Sequence, residues 1–184
     1  KWGVFDLKQA NELLDKVGLS KKDPEGYRLR TDGKGRLRLE MVTVGGQFVP
    51  YTQIGEMVKQ QWKKIGVDAQ LTFLEGRQFF AVGGVGPLNA GTFDAGIYTW
   101  SGGDDPQFFG LYSCAGIPTK ANGWTGQTTP RWCNNDADNA LIQSERNADV
   151  TLSRDKRKPF IETFFKAFAN DVPVIPLHAA TEPI

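Results

Sequence analysis

The chain has 184 residues, 40% of them hydrophobic and 11% aromatic, enough for one domain with a substantial core. Its 22 basic and 21 acidic residues leave a net charge of +1, which gives no electrostatic case for nucleic acid or an anionic membrane surface as partner. No apolar run approaches the roughly 20 residues of a spanning helix. The opening Lys1 to Asp6 already reads as an ordered segment, so any export signal is expected to have been removed or to lie upstream.

Asp6 is placed to cap a first helix with Gln9 at its third position, and Leu7, Ala10, Leu14 and Val17 recur at helical spacing before Gly18 ends it. Lys21 to Glu25, with Pro24, reads as a loop. From Tyr27 to Met41 the period becomes two: Leu37, Leu39 and Met41 alternate with Arg36, Arg38 and Glu40, after a turn at Asp32 to Gly35. That pattern predicts a hairpin whose second strand continues through Val42 and Val44. A second helix follows from Pro50 to about Ile65, carrying Ile54, Val58 and Ile65 on one face with Met57 and Trp62 at its margin, and Gly66 stops it. Val67, Ala69, Leu71 and Phe73 alternate with polar residues as the next strand, so strand, helix and strand form a crossover unit with parallel strands.

Gln78 to Val82 is a short helical candidate, and Gly83, Gly84 and Gly86 lack the register and the following Lys of a phosphate-binding loop, so a flexible loop is expected there. Thr92 to Pro106, TFDAGIYTWSGGDDP, joins a buried-strand composition (Phe93, Ala95, Ile97, Tyr98, Trp100) to a turn of Ser101, Gly102, Gly103, Asp104, Asp105 and Pro106. The carboxyl end of a strand in an open α/β sheet is where ligands sit. The plain alternative is a surface turn rich in Gly and Asp.

Gln107 to Asn134 is irregular and contains Cys114, Cys133, Trp124 and Trp132. Neither cysteine belongs to a C-x-x-C pair, and with one histidine in the chain no metal site or cofactor is expected. Paired, they would add about 3 kcal/mol on the chain-entropy account and favour an exported protein; unpaired, they would be thiols of a cytosolic domain. Asp136 to Arg146 reads as a helix through Ala137, Ala140, Leu141 and Ser144. Ser153 caps a last helix in which Phe160, Phe164 and Phe168 stack at four-residue spacing, with Pro159 marking where its regular part begins. Ser153 with Lys156 matches S-x-x-K, a pattern too short to imply an acylating serine when a cap explains it. Val172 to His178, broken by Pro173 and Pro176, suits an edge or exit strand, with His178 a structural histidine.

The order of these pieces resembles one family: the extracellular solute-binding proteins of ATP-driven importers that include the oligopeptide-, dipeptide- and nickel-binding receptors (family 5). The resemblance rests on Phe5, Asp6, Ala10, Leu13, Leu14 and Gly18; on Asp32, Gly33 and Leu37 to Leu39; and on Lys63 to Val67. It continues through Phe93, Asp94, Ala95, Trp100, Asp105 and Pro106, then Lys156, Arg157, Asp171, Pro173, Ile175, Pro176 and Leu177. It implies an α/β fold, a mixed sheet flanked by helices, in which residues 1–184 form a single domain: the C-terminal lobe of a two-lobed periplasmic-binding-protein-like (type II) receptor whose other lobe lies outside the chain. It implies that Cys114 and Cys133 pair as in the dipeptide-binding branch. Tyr98, Thr99, Trp100, Ser101 and Gly102 would line the ligand cleft.

Peptide-binding members carry an aspartate three residues after the tryptophan. Here that position is Gly103, and Asp104 is the displaced candidate for pairing with a ligand amine. The partners implied are a peptide or other small solute and the permease subunits of the importer. The receptor is expected to be a monomer, periplasmic or extracellular, held by a lipid anchor in an upstream segment, and not an enzyme. Asp94, Asp104 and Asp105 are spaced as turn residues, with no nucleophile or base beside them. A disulfide-stapled carbohydrate-binding module using Trp124 and Trp132 is the alternative, although such modules are usually all-β.

Overall fold

The structure is a computed structural model that describes residues 4–45, 50–100 and 107–177. By contact the chain divides into two compact units, one of residues 1–79 with 92–98 and one of 80–91 with 99–184.

The first unit is a parallel sheet with helices. Asp6 caps α1 (Leu7–Lys16), its carboxylate accepting from the Gln9 N–H at 2.9 Å, and Gly18 at φ +91° closes it while the Leu19 N–H reaches the Leu14 carbonyl. Leu7, Ala10 and Leu14 are half-buried as expected. Val17 is 68% exposed, because it is the residue that caps the helix rather than one on its face. The anchor between α1 and the rest of the unit is polar. Arg28, 1% exposed, donates to Asn11 Oδ1 at 2.7 Å, to Asp15 Oδ1 at 2.5 Å, to the Leu19 carbonyl, and to the Ile65 carbonyl at 2.7 Å.

The predicted hairpin turns at Asp32 to Gly35, with Gly33 and Gly35 at positive φ and the Arg30 N–H donating to the Gly35 carbonyl. It leads into β1 (Arg38–Val44), whose first residues alternate exposed and half-buried before Met41 to Val44 become buried on both faces. Helix α2 (Tyr51–Lys64) crosses to β2 (Asp68–Leu74), which pairs parallel with β1 from Arg38 opposite Asp68 to Val44 opposite Leu74. A Cβ at Gly55 would stand 2.7 Å from the Leu71 side chain, so the glycine lets α2 approach this close.

One-turn α3 (Gly76–Phe79) buries Phe79 completely, and β3 (Ala95–Ile97) pairs parallel with β1 on its other side, giving the order β2-β1-β3. All three described strands are parallel. Antiparallel pairing, expected as part of a mixed sheet, is confined among the described residues to the bridges Lys22–Arg28 and Leu29–Arg36. The helical candidate at Gln78 to Val82 falls instead at Gly76–Phe79, since one turn suffices to bury Phe79, and Gly83 and Gly84 at positive φ prevent its extension. β3 is shorter than the run from Phe93 to Trp100 and only half-buried, as befits an edge among the described strands.

The second unit is helical. α4 (Pro87–Ala90) starts on a proline and ends on Gly91 at φ +70°, the usual asymmetry of helix ends. The region read as irregular contains α5 (Phe109–Tyr112) and 3-10 turns at Cys114–Gly116 and Lys120–Asn122. α6 (Asn135–Glu145) buries Ala137, Ala140, Leu141 and Ser144, as its spacing predicts. α7 (Ala148–Thr151) leads to α8 (Arg154–Asp171). Phe164, 1% exposed, packs with Ala137, Ala140 and Leu141, stacks on Phe108 at 5.1 Å between centroids, and meets Phe168 at 5.5 Å.

Ser153 Oγ accepts from the Lys156 N–H at 3.4 Å, so the S-x-x-K match is an N-cap. Pro159 lies inside α8 rather than at its start: the cap holds one side of it and the buried phenylalanine stripe the other. The edge strand expected from Val172 onward does not form among the described residues. Val172 takes a left-handed cap conformation at φ +52°, and Pro173 and Pro176 have no N–H to offer a neighbour. No helix among the described residues is long and apolar enough to cross a membrane.

Candidate ligand-binding site

The predicted ligand residues begin where β3 ends, and that strand is fastened to β1 by side chains as well as by backbone. Asp94 Oδ2 accepts from the Glu40 N–H at 2.7 Å, the Asp94 N–H returns a bond to the Glu40 carbonyl at 2.9 Å, and Thr43 Oγ1 donates to the Ile97 carbonyl at 3.0 Å. These bonds fix both ends of the short strand. They also give Asp94 a structural task, which removes it from the hydrolytic reading.

Tyr98, next in the chain, is half-buried and meets Phe79 edge-to-face at 5.7 Å. Thr99 is exposed, and Trp100 is 49% exposed. Ser101, Gly102, Gly103, Asp104 and Asp105 lie outside the described residues, as does His178. Of the six predicted ligand residues, three can therefore be placed: Tyr98 in the first unit, Thr99 and Trp100 in the second.

Within the second unit Trp100 borders a cavity of about 400 Å³ whose wall includes Gln107, Phe109, Gln127, Glu145 and Arg146. Both oxygens of Glu145 are engaged, accepting from the N–H groups of Phe108 (2.7 Å) and Phe109 (3.0 Å). The Arg146 guanidinium lies over the Phe109 ring, 4.4 Å from its centroid. None of these wall residues except Trp100 was singled out from the sequence. They come from segments far apart in the chain and share no motif, and the only local cue was a basic residue at the end of α6.

Cys114 and Cys133 form a disulfide, with Cα atoms 4.8 Å apart. The loop it closes is tied at both ends: the Cys114 N–H donates to Asp138 Oδ1 at 2.8 Å, and Trp132 Nε1 donates to Asp171 Oδ2 at 2.9 Å. The bonds from Trp132, Asn134 and Asn170 hold the Asp171 carboxyl below its ordinary range. Trp132 also packs edge-to-face on Phe168 at 5.7 Å. Trp124, at φ +62°, lies against Gly84, where a Cβ would come within 2.7 Å of the indole, and its carbonyl accepts from Asn89 Nδ2 at 2.9 Å. The glycine loop thus has a packing role. Both tryptophans serve the unit's interior, which takes from the carbohydrate-module reading the exposed platforms it requires. Among the described residues no three His, Cys, Asp or Glu side chains are grouped to hold a metal ion.

A three-stranded parallel sheet flanked by helices is a scaffold of the α/β class, in which ligands sit beyond the carboxyl ends of strands. Residues 1–119 match the family described as bacterial extracellular solute-binding proteins, family 5 Middle, and the chain belongs to that family, one of binding proteins rather than enzymes. It is 25% identical over 181 residues to Di/tripeptide-binding protein 3 of Pseudomonas aeruginosa (strain UCBPP-PA14), a match covering 96% of this chain and 29% of the relative. The oligopeptide-binding protein of Thermus thermophilus, complexed with a pentapeptide, superposes with a TM-score of 0.79 at 24% identity, over 94% of this chain and 29% of that one. NikZ from Campylobacter jejuni, in complex with Ni(L-His), gives a TM-score of 0.73 at 20% identity, over 92% of this chain and 31% of that one. The α/β fold is that of the type II periplasmic binding proteins, and the chain spans less than a third of the length of these relatives.

Proposed function

We propose that the chain is the C-terminal lobe of a two-lobed receptor of an ATP-driven importer, which captures a peptide or other small solute between its lobes and delivers it to membrane permease subunits. The receptor acts as a monomer in the periplasm or outside the cell. The observation that carries this reading is the placement of Trp100 just beyond β3, at the carboxyl end of a parallel strand, 49% exposed and bordering a cavity. Tyr98 and Thr99 offer backbone groups beside it, and Ser101, Gly102 and Asp104 complete the proposed set. Peptides are the first class to try, because the di/tripeptide-binding relative matches nearly the whole chain. Closure of two lobes on the solute couples occupancy to the shape a permease recognises.

Calorimetry on the full-length protein with a panel of di- and tripeptides tests the reading. Truncating an aromatic anchor costs about 2 kcal/mol or more, so Trp100→Ala weakens the tightest peptide by roughly thirtyfold. Asp104→Asn, which removes a charge meant for the ligand amine, costs about 2 to 5 kcal/mol. Affinity unchanged by Trp100→Ala overturns the placement of the site.

A further inference from the structure

The sequence holds one Asn-Gly pair, Asn122–Gly123, and it lies inside the loop that the disulfide closes. In an open chain such a pair is labile. The backbone nitrogen after the asparagine attacks the side-chain amide carbon, ammonia leaves, and water opens the resulting succinimide to aspartate or isoaspartate. Glycine favours the attack because it puts no side chain beside that nitrogen. In the fold, each group the reaction needs is engaged elsewhere. Asn122 Oδ1 accepts from the Thr119 N–H at 2.9 Å and Asn122 Nδ2 donates to the Ile117 carbonyl at 2.8 Å. The amide is thus held on residues that precede it in the chain, whereas the attacking nitrogen follows it. The Asn122 N–H donates to Thr119 Oγ1 at 3.3 Å, which completes a capping box. The Gly123 N–H, on the attacking nitrogen itself, donates to the Lys120 carbonyl at 3.2 Å.

We infer that Asn122 is a modification site: a deamidation site kept latent by its capping box, whose reaction permanently loosens the disulfide-closed loop once the turn has opened. Burial is not what protects it, since Asn122 is half-buried and Gly123 exposed. The turn must open before the nitrogen can reach the amide carbon, so the rate follows the population of the locally open form. The product cannot rebuild the turn. A carboxylate at position 122 has no N–H for the Ile117 carbonyl and sets an oxygen against it, and isoaspartate also lengthens the backbone by one carbon. The next residue depends on that turn: the Trp124 N–H donates to the Thr119 carbonyl at 2.8 Å, and its indole lies against Gly84. None of this depends on which solute the receptor takes.

The full-length protein is incubated at mildly alkaline pH, and aspartate and isoaspartate at position 122 are followed by peptide mapping with mass spectrometry. The folded parent reacts about tenfold or more slowly than the same protein unfolded in guanidinium chloride. Thr119→Ala, which deletes the hydroxyl that closes the box, speeds the reaction of the folded protein about fivefold, the weight of a helix cap. Equal rates in the folded and unfolded parent, no reaction in the unfolded parent, or a rate untouched by Thr119→Ala overturns the inference. The comparison of folded with unfolded parent stands whether or not the variant folds. Asn122→Asp, which imitates one product, lowers the hydrogen-exchange protection of the Trp124 amide about fivefold or more. Unchanged protection there shows that the reaction does not loosen the loop and overturns that half of the inference.

Discussion

The two units of this chain are stabilised in different ways. The first is ordered by backbone pairing, a continuous β1–β2 ladder with one crossover helix, and its deeply buried Arg28 bridges α1 to the Ile65 carbonyl. The second contains no strand among its described residues and is held by a disulfide, an aromatic cluster around Phe164 and side-chain caps. Chain segments in the first are positioned by repeating local geometry, whereas those in the second are positioned by a few specific contacts between distant residues.

That difference predicts where each unit is fragile. The largest effect is expected at Phe164, where truncation to alanine empties the centre of the cluster. Local stability of α6 and α8, read by hydrogen exchange, should fall by about 3 to 5 kcal/mol. A fall below about 1 kcal/mol, the level of an ordinary surface change, would mean that the cluster does not hold these helices. Next, reducing the Cys114–Cys133 bond should cost about 3 kcal/mol on the chain-entropy account, seen as earlier exchange in residues 114–133. A smaller loss would assign that loop's order to its ties at Asp138 and Asp171.

In the first unit the sensitive position is the close contact of Gly55 with the tip of the half-buried Leu71 side chain. Gly55→Ala places a methyl 2.7 Å from Leu71, and overpacking of this kind costs about 1 to 3 kcal/mol. A neutral result would show that α2 can retreat from the sheet.

The smallest effect is electrostatic and separates the units by pH. The Arg30 side-chain bond holds Asp32 in the first unit down to about 2, and the Trp132 bond depresses Asp171 in the second. A carboxyl depressed in the folded state stabilises it at pH above the unfolded value, and that stability is lost as pH falls through the folded value. Both contributions are therefore complete at neutral pH and fade below about pH 4. Asp32 is a surface pair, so its share is small. Asp32→Asn should leave the acid transition nearly unchanged, and Asp171→Asn should flatten its onset in the second unit, both followed by tryptophan fluorescence.

The same difference governs how much was legible in the sequence. Helices α1, α2 and α6, strands β1 and β2 and the turn at Asp32 to Gly35 declare themselves by period and by capping residues, and they stand within a residue or so of expectation. Arg28 was invisible because its acceptors, Asn11, Leu19 and Ile65, are scattered through the chain and belong to no pattern. Among the described residues the strand expected from Val172 does not form, because an apolar run specifies a strand only where a neighbour can pair with it, and two prolines weaken the offer. At the site, Tyr98 to Trp100 could be found as the end of a strand. The cavity wall that Trp100 borders could not, since Phe109, Glu145 and Arg146 are brought together by the packing of helices rather than by spacing.

The central claim, that the carboxyl end of β3 faces a bound solute, is tested most directly by hydrogen exchange on the full-length protein with and without a saturating tripeptide. Protection should rise at the amides of Tyr98, Thr99 and Trp100. Saturated binding with no change at those three amides would contradict it.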